Sequence, residues 1–165
     1  MIYERELKAL TESKARYVVI GGIAANMYGY PGGTFDLDLI VDLSEQNLDK
    51  IISTIKELGY IPRVPVNLND LKDVKKREFW QKEKNMKAFG LVNPNNLAEH
   101  IDLLIYHTLD FEKVYNDKRI IYAQGIEVPI VSLEDLLKLK KDANRSKDKD
   151  AIAFLERLKL RWKDE

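Results

Sequence analysis

Thr34-Phe35-Asp36-Leu37-Asp38-Leu39-Ile40-Val41 is the stretch on which the reading of this chain turns. Acidic and apolar residues alternate with a period of two, so a strand over residues 35–41 places Asp36 and Asp38 on one face, with Phe35, Leu37 and Leu39 on the other. Two neighbouring carboxylates repel, and a half-buried strand holds such a pair where opposite charge compensates it. The chain has no cysteine and two histidines, which removes disulfides, thiolate nucleophiles and cysteine–zinc sites and leaves little for a histidine site. A hard cation with oxygen ligands, magnesium above all, fits the pair. The plainer accounts are a sheet edge open to water or pairing with lysines, because the Asp-x-Asp spacing is common by chance.

Upstream, the β-branched run Tyr17-Val18-Val19-Ile20 reads as a strand ended by Gly21-Gly22, with a short helix over residues 23–28 and a breaker cluster at 29–33. A strand that turns through glycines into a helix exposes backbone N–H groups that can cradle phosphate oxygens; a plain tight turn is the other reading. Downstream, His100-Ile101-Asp102-Leu103-Leu104-Ile105 sets Asp102 in an apolar strand over 101–106, where desolvation is costly unless a lysine or a metal pairs with it. His100 and His107 flank that strand and read as strand-end residues.

The remaining elements follow from periodicity and punctuation. Residues 3–14 form a helix on Tyr3, Leu7 and Leu10. Ser44 caps a helix striped by Leu48, Ile51, Ile52, Ile55 and Leu58 and stopped by Gly59. Residues 61–73 read as a loop with one helical turn near 68–74, then strands at 78–81 and 86–92 and a hairpin of 119–123 and 126–131 about Gln124-Gly125. Ser132 caps a helix to about residue 143, and Ile152, Leu155, Leu158 and Trp162 mark a last amphipathic helix. Tyr28, Tyr30, Phe79, Trp80 and Phe89 are expected in the core.

At 165 residues and 45% hydrophobic content, the expectation is one domain, 1–165, of mixed α+β class with a helical C-terminal segment at 132–162. Lysine plus arginine equals aspartate plus glutamate at 27 each, so there is no overall positive field of the kind that marks dedicated nucleic-acid binders. No apolar run approaches the ~20 residues of a membrane span, and Met-Ile-Tyr-Glu-Arg-Glu lacks the order of a secretory signal, so a cytoplasmic protein is expected.

The order strand, Gly-Gly, short helix, loop, Asp-x-Asp strand and later isolated aspartate resembles the nucleotidyltransferase superfamily, whose fold is that of DNA polymerase beta. It is carried here by Ile20-Gly21-Gly22, Thr34-Phe35-Asp36-Leu37-Asp38-Leu39-Ile40 and Ile101-Asp102-Leu103. Leu136-Leu137-Lys138-Leu139-Lys140 and Asn144-Arg145-Ser146-Lys147-Asp148 are similar to small prokaryotic members related to abortive-infection and toxin–antitoxin nucleotidyltransferases. The resemblance implies a mixed sheet with helices packed on it. It also implies two magnesium ions held by Asp36, Asp38 and Asp102, the last also helping to activate the acceptor hydroxyl. Gly21, Gly22 and Thr34 would then lie at the nucleotide, with Lys140 reaching the triphosphate and Arg145 nearby as a second cation. The lysines of this region read more readily as a solvated helix face, and Asp148 as the partner of Arg145 at the turn between two helices rather than a substrate contact. Relatives often carry a basic residue where Gly32 stands. The implied reaction moves a nucleoside monophosphate from a nucleoside triphosphate, ATP first, to a hydroxyl on RNA, protein or a small molecule, releasing pyrophosphate. The rival is a nucleotide-binding or toxin–antitoxin interaction module with little turnover and a partner protein; a hydrolase using the same carboxylates leaves the glycine turn without a purpose.

Overall fold

The computed structural model describes residues 1–163. The buried run at 17–20 forms β1 (Tyr17–Ile20), which turns at Gly21 directly into α2 (Gly21–Met27), after the leading helix α1 (Glu4–Glu12). The helix thus opens on the glycines themselves, two residues earlier than the sequence indicates. The chain returns as β2 (Asp36–Val41), antiparallel to β1 with Ile20 opposite Asp38. Ser44 caps α3 (Glu45–Glu57), its hydroxyl accepting from Asn47 N–H at 3.3 Å, and the stripe Leu48, Ile51, Ile52 and Ile55 is buried.

Five more strands complete the sheet around this pair. β5 (Asn96–Leu104) lies parallel to β2, with Asp36 opposite His100 and Asp38 opposite Asp102. β4 (Ala88–Asn93) and the two-residue β3 (Ile61–Pro62) extend the sheet on that side, and β7 (Ile126–Ile130) and β6 (Arg119–Ala123) extend it beyond β1. The order β3-β4-β5-β2-β1-β7-β6 makes one mixed, seven-stranded sheet. Alternation then separates the faces. Leu37, Leu39, Ile101, Leu103, Phe89 and Leu91 all stand on one side and are fully buried, each contributing about 1.5–3 kcal/mol by leaving water. The opposite side of the same strands carries Asp36, Asp38, His100, Asp102 and Gly90, all half-buried.

Several expectations are corrected. Residues 78–81 are not a strand: they lie within α4 (Val74–Lys84), capped by Asp73 accepting from Lys75 and Lys76 N–H. Only Trp80 of that helix is buried, against Phe89 at 5.5 Å between ring centroids; Lys, Arg, Glu and Gln favour the helix on their own, so it needs no apolar stripe to announce it. Phe79 is exposed, as is Phe35, which precedes β2 and does not share the Leu37 face. β5 begins five residues before the expected start, paired to β4 through a turn at Pro94-Asn95. A helix α5 (Phe111–Asn116), capped by Asp110, occupies a stretch with no periodic signal. The expected helical turn near 68 is the 3-10 segment Leu68–Lys72.

Toward the C-terminus, Ser132 accepts from Asp135 N–H to cap α6 (Leu133–Ala143), and a 3-10 turn at Ser146–Asp148 leads into α7 (Lys149–Lys163). No helix among the described residues is long and apolar enough to cross a membrane. Tyr3, just before α1, clamps the two acid-bearing strands at their entrance: its hydroxyl donates to Phe35 C=O and accepts from His100 N–H at 3.0 Å. Tyr3→Phe removes both bonds while keeping the ring, and is expected to lower unfolding free energy by about 1–3 kcal/mol in urea denaturation.

Candidate active site

The parallel ladder fixes the geometry of the acids. Because Asp38 is directly opposite Asp102 and Asp36 lies two residues earlier on the same strand, all three carboxylates rise from one face, joined by His100. His100 Nδ1 is 3.4 Å from Asp36 Oδ1, so His100 is a neighbour of the acids inside β5 and not a strand-end residue as expected; His107 lies beyond the strand.

The glycine turn is built against these acids. Ile20, the last residue of β1, faces Asp38 across the ladder, and the chain leaves the sheet at Gly21 with φ +68°. A Cβ on Gly21 would collide with Asp38 Oδ2 and come within 3.0 Å of its Cγ, while one on Gly22 would stand 2.5 Å from Thr34 Oγ1. Both positions need glycine, the first by backbone conformation and both by close approach. No side chain caps the first turn of α2, so its backbone N–H groups are open beside the acids. Gly21, Gly22, Thr34, Asp36, Asp38 and Asp102 are therefore gathered at one place.

No family model matches the sequence, and no curated protein matches it. Solved structures do match in shape. A lincosamide antibiotic adenylyltransferase, LnuA, with lincomycin bound, superposes with a TM-score of 0.61 at 16% identity over 92% of each chain. A candidate nucleotidyltransferase of Thermotoga maritima gives 0.58 at 14% identity, covering 99% of this chain and 92% of the other. ANT(2")-Ia in complex with adenylyl-2"-tobramycin gives 0.57 at 12% identity over 90% and 82% of the two chains. This chain has the nucleotidyltransferase fold.

Within that fold the acid face is electrostatically loaded. Burial, then Asp102 and Asp36, push the Asp38 carboxyl up to about 7, with Arg145 and Lys140 pulling back less strongly. Burial also raises Asp102, opposed by Arg63 and assisted by Asp36. The cations that act on Asp38 come from the C-terminal segment, Lys140 from α6 and Arg145 from the turn that follows it. Lys140 is buried and its Nζ is 3.0 Å from Asp148 Oδ1; Arg145 Nε is 2.7 Å from Asp148 Oδ2 with half its side chain in solvent. Burial alone would raise the Asp148 carboxyl, but the bonds from Lys140 and Arg145 outweigh it and hold it below its ordinary value. Lys140 and Arg145 line a cavity of about 480 Å³ with Lys141, Asn144, Ser146, Lys149 and Ile152. Lys140 thus reaches Asp148 directly and the acid face only through its field.

Sequence reasoning missed Arg63. Its Nη2 donates to Asp102 Oδ1 at 2.9 Å, so the partner of Asp102 is an arginine from the edge of the sheet and not a lysine. Although Asp36, Asp38 and Asp102 share one face, no three acidic or histidine side chains among the described residues stand close enough together to hold a metal ion as they are; Asp102 is paired with Arg63, and Asp36 lies beside His100. The signal that could have found Arg63 is Gly90, a lone glycine in a strand, which marks a close approach.

The Asp38 shift fixes the sign of a pH effect. Its folded carboxyl titrates higher than in the unfolded chain, so this group costs stability that accumulates from about pH 4 to about pH 7 and is constant above. Without divalent metal, Asp38→Asn is expected to stabilise the protein by about 2–4 kcal/mol at pH 8 and not at all below pH 4, read from urea melts across that range.

Proposed function

We propose that this protein is a magnesium-dependent nucleotidyltransferase that moves a nucleoside monophosphate, from ATP in the first instance, to a hydroxyl acceptor with release of pyrophosphate. The observation that carries the reading is the register that sets Asp38 opposite Asp102, with Asp36 beside them, against an uncapped glycine turn. An oxygen-only set of three acids, of which Asp38 and Asp102 are raised by burial and like charge, suits a hard divalent cation. Asp36, Asp38 and Asp102 would hold the metal pair, which, when bound, neutralises charge on the attacking and leaving oxygens of an in-line displacement.

The chain's own groups do the rest. The N–H groups at Gly21-Gly22 and the Thr34 hydroxyl bind phosphate oxygens, an arrangement that helix openings favour. Arg145, anchored by Asp148 through Nε, keeps its other donors free, among the described residues, to bind the departing pyrophosphate, with Lys140 adding its positive field. Asp102 accepts the proton of the acceptor hydroxyl as its oxygen bonds to the α-phosphorus and the bond to the pyrophosphate oxygen breaks. Two of the similar structures contain lincomycin and adenylyl-2"-tobramycin. With no net charge to spread over a polynucleotide, a small hydroxylated molecule is favoured over RNA as the acceptor. One observation favours the rival, a nucleotide-binding or toxin–antitoxin interaction module: Asp102 is already paired with Arg63.

Calorimetric titration of ATP, CTP, GTP and UTP with magnesium separates the readings. Wild type is expected to bind ATP only with magnesium, and Asp36→Ala/Asp38→Ala to abolish the binding. Transfer of α-labelled nucleotide to an acceptor should fall at least about 100-fold in the variant. Magnesium-independent binding that persists in the variant, with no transfer, selects the interaction module.

A further inference from the structure

Arg63 follows the edge strand β3, and its backbone N–H donates to Gly90 C=O at 3.0 Å, fixing it beside β4. Gly90 is the residue directly opposite Asp102 on the next ladder. Its missing Cβ is what lets the guanidinium cross: a methyl there would lie 2.7 Å from Arg63 Cζ and closer still to Nε and Nη2. The side chain thus runs over Gly90 to end on Asp102 Oδ1. The pair is partly open, Arg63 at 43% and Asp102 at 18% side-chain exposure, which makes it weak enough to be exchanged.

We propose that Arg63 is a positioning residue that serves as the resident counter-ion of Asp102, and that a divalent cation must displace it to load. The proposal rests on the metal-binding reading above. While Nη2 holds Oδ1, that oxygen has a lone pair committed and a positive charge beside it, so the free protein binds metal more weakly than the three acids alone would. Once displaced, the guanidinium swings off Gly90, and Asp102 turns to join Asp36 and Asp38. Arginine suits the role because its fork spans Gly90 and remains charged at every working pH.

The test is manganese binding to the nucleotide-free protein, measured from the electron paramagnetic signal of free Mn²⁺. Arg63→Ala and, independently, Gly90→Ala are expected to tighten binding about three- to fivefold, the size of a partly exposed ion pair. Gly90→Ala meets only the movable end of a side chain, so the fold persists if Arg63→Ala proves unstable. Arg63→Lys should stay within about twofold of wild type, and Arg63→Ala should have no effect in an Asp102→Asn background. Equal or weaker Mn²⁺ binding in both alanine variants, with Asp36→Ala/Asp38→Ala still abolishing it, overturns the counter-ion and leaves the metal site standing. Absence of Mn²⁺ binding in every protein, or binding that survives loss of Asp36 and Asp38, overturns both.

Discussion

Asp38 stands across from Asp102 in a parallel ladder, with Asp36 one pleat away, and the burial of these like charges is the constraint around which the surrounding residues are arranged. Each neighbouring feature relieves or permits it. Arg63 crosses a glycine to reach Asp102, His100 lies against Asp36, and Lys140 in α6 and Arg145 in the turn after it act on Asp38. Gly21 gives its side-chain space to the Asp38 carboxylate. A sheet face with no task beyond packing would carry apolar residues there at lower cost, as the other face of the same strands does.

The scaffold that imposes this constraint is rigid where it matters. Leu37 and Leu39 alternate with the acids of β2, and Ile101 and Leu103 with Asp102 of β5, all fully buried. A slip of one residue in either strand would bury the carboxylates in the core and expose the leucines, so the apolar pattern enforces the juxtaposition of the acids. Tyr3 fastens the open end of the same pair of strands through Phe35 and His100. The cations of the C-terminal segment are set by Asp148, which holds Lys140 and Arg145 together at the turn before α7.

What could be read from the sequence follows the same physics. Strict alternation made β2 legible, a β-branched run ending in two glycines marked β1 and its turn, and the Ser44 and Ser132 caps located α3 and α6. A charged residue inside an apolar strand singled out Asp102. The parts that escaped carry no period: α4 buries one side chain, Trp80, and its aromatic pair resembles a strand, while the early half of β5, Asn96 to Glu99, has no apolar alternation. Arg63 was invisible because its role depends on a sheet neighbour 39 residues away in sequence. Gly90 was the one local trace, and a strand glycine names the need for space without naming the occupant.

Crystals grown with Mn²⁺ and a non-hydrolysable ATP analogue test the central claim most directly, through the anomalous signal of the metal. The account predicts manganese bound by Asp36, Asp38 and Asp102, phosphate oxygens at the Gly21-Gly22 turn, and the Arg63 guanidinium moved off Asp102. Manganese and nucleotide absent from this face at saturating concentration, with Arg63 still on Asp102, would contradict it.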